Sequence, residues 1–133
     1  MGTRSLGRLI ALTAMLAMAT AAFAHHSFAG YDATTTRTLV GTVASIQWAN
    51  PHVTVSVLVG PKDGGKLQQW NIVTSGPAIL KRFGWTGESV RPGDRVSLDC
   101  NPLSDGSYGG RLHTLTLLAN GKVLRTKLSP SEK

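Results

Sequence analysis

The chain has 133 residues, with 14 Lys and Arg against 7 Asp and Glu, 4 His and a single Cys, which gives a formal net charge of +7. This length predicts one domain with a substantial hydrophobic core. A single Cys excludes an internal disulfide framework, and no Cys/His cluster has the spacing of a structural zinc site. The basic residues are scattered along the chain, so the composition favours solubility and does not indicate a nucleic-acid groove.

The N-terminal segment has the three parts of a secretory signal peptide. Arg4 and Arg8 form a basic start, an apolar run spans residues 9–23, and Ala-Phe-Ala at 22–24 is a small-x-small cleavage site. We predict that residues 1–24 are removed on the general secretion route, which leaves a periplasmic or secreted protein with no lipobox and no membrane span. The mature chain would then have 109 residues and a net charge of +5. An uncleaved anchor helix is the alternative.

Three strands are predicted after an N-terminal arm at residues 25–37. Leu39–Trp48 is rich in Val, Thr and Ile. Val53–Val59 alternates Val with Thr, Ser and Leu, which is the clearest period-two pattern in the sequence. The Pro-Lys-Asp-Gly-Gly turn at 61–65 leads into Lys66–Thr74, so the second and third strands are predicted to form a hairpin.

One short helix is predicted after the third strand. Ser75 is a candidate N-cap, Pro77 suits the first turn, and Gly84 suits the position just after the last turn. The apolar residues between them have helical spacing: Ile79, Leu80 and Phe83. The pattern predicts an amphipathic helix of about two turns.

Three further strands are predicted at Arg95–Cys100, Gly110–Leu118 and Lys122–Lys127. The order strand, strand, strand, helix, strand, strand is typical of the OB-fold. We therefore predict a mainly β chain, with an OB-like antiparallel barrel of five to six strands at residues 38–128, a short helix between the third and fourth strands, and a frayed tail at 129–133. A small β-rich α+β domain is the alternative, because a mixed sheet covered by one helix has the same element order.

Six short motifs are spread over nearly the whole mature chain. They are His25-His26-Ser27-Phe28, Trp48-Ala49-Asn50-Pro51-His52, Trp70, Pro77, Gly84-Trp85-Thr86 and Pro92-Gly93-Asp94. In this combination the chain resembles a family of small exported bacterial proteins of unknown function. The resemblance implies a small exported β-domain and supplies no activity, and His113 lies outside its motifs.

Histidines form one candidate site. Cleavage after residue 24 would make His25 the N-terminus, where its α-amine and ring Nδ1 can chelate one metal ion. His26 or His52 would supply another nitrogen, and such a nitrogen set favours Cu(II) over zinc or nickel. The alternative is that the pair at 25 and 26 is solvated near a loose terminus, while His52 caps backbone groups or packs on a neighbouring ring.

The other candidate site is a ligand surface formed by Trp48, His52 and Trp85. OB-like barrels bind oligosaccharides and single strands on one face, and Trp85 follows the helix, where it would cover the barrel end. Core packing is the alternative for the Trp residues, and Cys100 is predicted to be a small buried hydrophobe. The sequence shows no catalytic set. The favoured prediction is a non-enzymatic periplasmic module that binds a small ligand or a protein, requires no cofactor and does not bind nucleic acid. Copper binding is the alternative.

Overall fold

The secondary structure follows the predicted order. The computed structural model describes residues 30–61 and 64–127. Its elements are β1 (Arg37–Gln47), β2 (Thr54–Val59), β3 (Gln68–Val73), α1 (Pro77–Arg82), β4 (Arg95–Pro102), β5 (Gly109–Leu117) and β6 (Val123–Arg125). The predicted signal peptide, the His25-His26 pair and the predicted tail at 129–133 lie outside the described residues. Within the described part of the chain, no helix is long and apolar enough to cross a membrane.

The strands close into a small barrel. The sheet order is β3-β2-β1-β4-β5-β6, and every neighbouring pair in that order is antiparallel. β3 also pairs with β5 in parallel, through Asn71–Val73 and Gly109–Arg111. This pairing joins the two open edges of the five-stranded sheet, and β6 adds a further strand along β5. The predicted OB-like barrel is confirmed, with one parallel pair in an otherwise antiparallel sheet.

The period-two pattern of the second strand marks the barrel interior. Val53, Val55 and Val57 are each fully buried, as side chains on one face of a half-buried strand should be. Cys100 lies in the same core with no exposed surface, as predicted, and burial raises the pKa of its thiol to about 11. The thiol is therefore protonated and packs as a small apolar group.

The helix begins one residue later than predicted. The N-cap is Gly76 and makes no side-chain cap, so the prediction of Ser75 as N-cap is wrong. The reason is that the Ser75 carbonyl accepts a 3.1 Å hydrogen bond from the Val53 amide, which keeps that residue in the extended chain. Leu80 is fully buried whereas Ile79 is 48% exposed, so the predicted apolar face is only partly used. Gly84 has φ +79° and ends the helix as predicted.

Gly41 in β1 is a position where the sheet allows no side chain. A Cβ at this residue would overlap the Leu58 carbonyl oxygen and approach Val57 Cγ1 to 2.6 Å. The β2 backbone would have to shift to make room for this Cβ. We therefore expect Gly41→Ala to lower the free energy of unfolding by about 1–3 kcal/mol in urea denaturation. Gly60→Ala is the matched control, since its nearest contact is an ordinary 3.5 Å to Leu67, and equal effects of both substitutions would contradict the prediction.

Candidate functional site

The predicted tryptophan residues do not form an open groove. Trp85 is 1% exposed, and its Nε1–H donates a 2.7 Å hydrogen bond to the Arg125 carbonyl on β6. Trp48 is partly buried and packs against the core, with its indole beside Gly87. Trp85 is therefore a core residue that joins the segment after the helix to the last strand, and its ring offers almost no surface to a ligand.

His52 lies next to the end of β3. Its ring Nδ1 donates a 3.1 Å hydrogen bond to the Thr74 carbonyl, which places the lone pair of the neutral ring on Nε2. The preceding turn packs closely here, because a Cβ at Gly76 would lie 2.7 Å from the Pro51 carbonyl oxygen. The Trp-Ala-Asn-Pro-His motif is thus held against the start of the helix. In the chain between residues 30 and 127, apart from 62 and 63, no three His, Cys, Asp or Glu residues are grouped to hold a metal.

A polar cleft of about 370 Å³ lies beside the same end of β3. Its walls come from the ends of β3 and β4, from β5, and from the segments that flank the barrel at 33–36 and 126–127. Its main polar lining residues are Thr74, Asn101, Arg111, His113, Thr126 and Lys127. Ligand pockets commonly occupy about 300–1,000 Å³, so this cleft has the size for a small molecule.

A second groove, of about 580 Å³, runs beside the start of β1 and the end of β2. It is lined by residues 37–40 and 59–61, of which Arg37 is the charged member. The Arg37 guanidinium carbon lies 5.4 Å from the centroid of the Trp70 ring, so this charge is already placed over an aromatic face. The first cleft is the better candidate because two buried polar residues, Thr74 and Asn101, line it.

A hydrogen-bond chain fixes one wall of the cleft. The Asn101 side-chain nitrogen donates to the Thr35 carbonyl at 2.7 Å, and this orients its amide, because a carbonyl can only accept. Asn101 Oδ1 must then accept the 2.6 Å hydrogen bond from His113 Nε2. The neutral imidazole consequently carries its proton on Nε2. Asn101 is 7% exposed, so both of its bonds are made out of contact with bulk water.

Thr74 carries a buried hydroxyl without a partner. The residue is 2% exposed, and among the described residues its Oγ1 is the one buried side-chain oxygen or nitrogen that makes no hydrogen bond. A buried polar group in this condition costs about 1–3 kcal/mol. The cleft lining contains another hydroxyl that is satisfied, since Thr126 Oγ1 donates to the Leu112 carbonyl at 3.0 Å. The Thr74 hydroxyl thus lines a cleft in which the side chains of Asn101, His113 and Thr126 are oriented by hydrogen bonds.

Two basic side chains, Arg111 and Lys127, line the cleft together with His113. Burial lowers the pKa of His113 below its usual value, and the charges of Lys127 and Arg111 lower it further, while Asp99 acts in the opposite direction. The Asp99 carboxylate accepts hydrogen bonds from the Thr38 hydroxyl at 2.6 Å and the Thr114 hydroxyl at 2.9 Å. At neutral pH the imidazole of His113 is therefore uncharged.

Stability should depend on the protonation of His113. Because its pKa is lower in the folded than in the unfolded chain, the unfolded chain binds more protons at acidic pH. The stability from this residue is complete above the ordinary His pKa of about 6.5, and it declines as the pH falls through the lower pKa of the folded state. We expect His113→Gln, which keeps a donor for Asn101, to flatten this decline in urea denaturation series. An unchanged pH profile would contradict the assignment.

The family assignment follows from the sequence match. A family model described as a family of unknown function, DUF6152, matches residues 13–112. The chain belongs to this family. The match includes the Trp-Ala-Asn-Pro-His motif, Trp85, Thr74 and Asn101, and it ends just before His113. The resemblance drawn from the motifs is thus confirmed. No curated protein matches the chain significantly.

The comparison with solved structures corrects one prediction. Two crystal structures of a mitochondrial single-stranded DNA binding protein from S. cerevisiae, Rim1, are similar to this chain. The first has 18% identity and a TM-score of 0.49 over 63% of this chain and 93% of that one. The second has 19% identity and a TM-score of 0.48 over 66% and 97%. The prediction that excluded nucleic acid as a partner is wrong as an exclusion, because these fold neighbours bind single-stranded DNA. A likeness at this level concerns the fold and assigns no DNA-binding residue here.

Sequence reasoning did not select the residues of the cleft. Arg111, Leu112 and His113 form a visible polar, apolar, polar alternation, which places the two basic side chains on one face of β5. Asn101 pairs with Arg111 across β4 and β5, and that register is a long-range property. Thr74 is singled out by its buried hydroxyl without a hydrogen-bond partner. That property depends on the surrounding fold, so no sequence pattern indicates it.

Proposed function

We propose that this protein is an exported, non-enzymatic binding module that takes a small polar ligand in the cleft beside β3 and β5. Export rests on the signal-peptide features of residues 1–24, which predict a periplasmic or secreted location. The observation that carries the ligand site is the buried Thr74 hydroxyl, whose hydrogen-bonding capacity is unused among the described residues. A ligand with a polar group at this position would recover the free energy that the hydroxyl otherwise costs.

The hydrogen bonding of the cleft favours binding over catalysis. His113 donates to the amide of Asn101, whereas a histidine that acts as a general base is usually oriented by a carboxylate or activates a nucleophile beside it. The Asn101 amide is itself held by the Thr35 carbonyl, so the orientation of its donor and acceptor is fixed. Such an arrangement supplies orientation and specificity to a bound molecule.

Amide chemical-shift mapping tests this function. Labelled mature protein would be titrated with a panel of metabolite-sized anions, cations and neutral compounds, and amide shifts would be followed by two-dimensional NMR. We expect at least one compound to shift the amides of Thr74, Asn101 and His113 while those of Val40 and Gly60, beside the second groove, stay in place. A panel that never moves the cleft amides would refute the proposed site, and shifts confined to the second groove would relocate it.

Copper binding is the second candidate function, and one observation favours it. The Nδ1–H of His52 donates to the Thr74 carbonyl, and metal-bound histidines are commonly oriented by such a bond from the ring nitrogen that does not bind metal. We propose that His52 joins His25 and His26 in a Cu(II) site once cleavage after Ala24 has created the new N-terminus.

Mass spectrometry and metal titration separate this candidate from adventitious chelation. The exported protein should begin at His25, and Cu(II) should give a ligand-field band that is altered in His52→Ala. His113→Ala serves as the control, since this residue is bonded to Asn101 and is not part of the predicted copper set. A different N-terminus, or identical spectra and affinity in the His52 variant, would exclude the three-histidine site.

A further inference from the structure

We infer that the ligand of the cleft is a neutral compound with neighbouring hydroxyl groups, a sugar or another polyol, which donates a hydrogen bond to His113 Nδ1 and bonds to the Thr74 hydroxyl. The inference rests on the proposed function, because it names the chemical class that the cleft selects. Both residues line the cleft, and the hydrogen-bonding capacity that they leave unused includes an acceptor that an ionised carboxylate cannot satisfy.

The second ring nitrogen of His113 is an acceptor. Its Nε2–H is already used, because it donates to Asn101 Oδ1 at 2.6 Å, and the neutral ring then carries a lone pair on Nδ1. Among the described residues Nδ1 has no hydrogen-bond partner. It is also not a buried atom, since Thr74 Oγ1 is the one buried side-chain nitrogen or oxygen of the described chain without a partner. Nδ1 is therefore accessible, and a ligand that satisfies it must donate.

Two threonine hydroxyls of the lining extend this pattern. Thr126 Oγ1 uses its proton on the carbonyls of Leu112 and His113, at 3.0 and 3.2 Å, so it can only accept from a ligand. Thr74 Oγ1 is buried and its capacity to donate and to accept is unused among the described residues. A ligand that bonds to all three groups therefore needs at least two donors, and a further group that pairs with a hydroxyl.

Neighbouring hydroxyl groups meet this requirement better than charged groups do. An ionised carboxylate only accepts, so it would leave His113 Nδ1 and Thr126 Oγ1 unpaired. The pKa of His113 is lowered by burial and by the charges of Lys127 and Arg111, so an added ammonium group is disfavoured here although it can donate. A hydroxyl group both donates and accepts without carrying a charge.

A matched set of cyclohexane compounds tests the ligand class. The cis and trans isomers of cyclohexane-1,2-diol, the corresponding dicarboxylate and the corresponding diamine would be titrated by NMR into the mature protein. Myo-inositol would be added as the compound with a hydroxyl on every ring carbon, and the pH would be about 7.5, where an ordinary histidine is neutral. We expect a diol or myo-inositol to shift the amides of Thr74 and His113, whereas the dicarboxylate and the diamine should leave them in place.

Two substitutions locate the contacts of the bound hydroxyl compound. His113→Gln keeps a donor for Asn101 and removes the Nδ1 acceptor, and Thr74→Val removes the buried hydroxyl. Each should weaken binding by roughly two- to tenfold, the worth of one neutral hydrogen bond. Thr116→Val is the matched control, since it removes a hydroxyl outside the cleft lining, and it should bind as wild type does.

The pH dependence distinguishes a donating ligand from an anion. Burial and the charges of Lys127 and Arg111 lower the pKa of His113, and Asp99 acts in the opposite direction. Protonation of Nδ1 removes the acceptor, so the affinity for the hydroxyl compound should decline as the pH falls below about 6.5 and through the lowered pKa of the folded state. His113→Gln should abolish this decline. An affinity that rises as the pH falls would overturn the inference.

The remaining outcomes separate the ligand class from the site. Shifts of the cleft amides that arise only with compounds lacking hydroxyl groups would overturn the inference and leave the proposed ligand site intact. The same holds for a dicarboxylate that binds as tightly as the diols, and for equal weakening in Thr74→Val and Thr116→Val. Silence of the cleft amides throughout this set and the wider panel would refute the proposed function itself.

Discussion

Replacing Trp85 by Ala should lower the free energy of unfolding by about 3–5 kcal/mol, the usual cost of removing a large buried aromatic side chain. The ring is 1% exposed and lies in the core of the barrel. Its loss would also leave the Arg125 carbonyl without the indole donor. Urea denaturation followed by far-ultraviolet circular dichroism measures this effect without relying on tryptophan fluorescence.

Two variants separate the contributions of packing and hydrogen bonding. Trp85→Phe keeps most of the apolar ring but removes the Nε1–H donor, so it should cost about 1–3 kcal/mol. Trp48→Ala removes an equally large ring from a partly buried position and should cost less than Trp85→Ala. A Trp85→Ala protein as stable as wild type, with binding lost instead, would show that this residue serves a ligand and not the core.

Asn101→Leu is expected to cost about 2–4 kcal/mol, because it deprives two groups of their hydrogen-bond partners. The Thr35 carbonyl would lose a 2.7 Å donor, and His113 Nε2–H would lose its 2.6 Å acceptor. Leu has a similar size, so the loss reflects unpaired polar groups more than a cavity. The substitution should also disturb the cleft wall and reduce its ligand binding.

A double-mutant cycle identifies the source of this cost. Asn101→Leu and His113→Leu share one hydrogen bond, so the double variant should be more stable than the sum of the two single effects implies. The matched pair Asn101→Leu and Thr116→Val should be additive, because these two side chains have no bond in common. Additive effects at positions 101 and 113 would show that the two residues contribute independently.

Much of the fold could be predicted because its signals are local. Alternation around Val55 marks a half-buried strand, and Gly84 marks the end of the helix, where φ is +79°. Barrel closure could not be derived in the same way, because the parallel pairing of β3 with β5 joins segments almost 40 residues apart. The N-cap prediction was wrong for a related reason, since the Ser75 carbonyl bonds to the distant Val53 amide.

The candidate site was less accessible to sequence reasoning. Trp85 stood out as an aromatic residue beside a glycine, and its burial became apparent only with its bond to β6. Thr74 and Asn101 are ordinary strand-end residues until their hydrogen bonds are known. His52 connects the residues predicted from sequence with the residues of the cleft. It belongs to the Trp-Ala-Asn-Pro-His motif, and its ring donates a hydrogen bond to the Thr74 carbonyl at the edge of the cleft.

The decisive comparison is between wild type and Thr74→Val, with the unfolding free energy and the affinity for a compound that shifts the cleft amides measured on the same two proteins. Valine has nearly the shape of threonine without its hydroxyl, so it removes the orphaned polar atom and should leave stability equal or higher. Ligand affinity should fall by roughly two- to tenfold, the worth of one neutral hydrogen bond. Unchanged affinity for that compound in Thr74→Val, or a parallel loss of stability, would contradict a ligand site built around this hydroxyl.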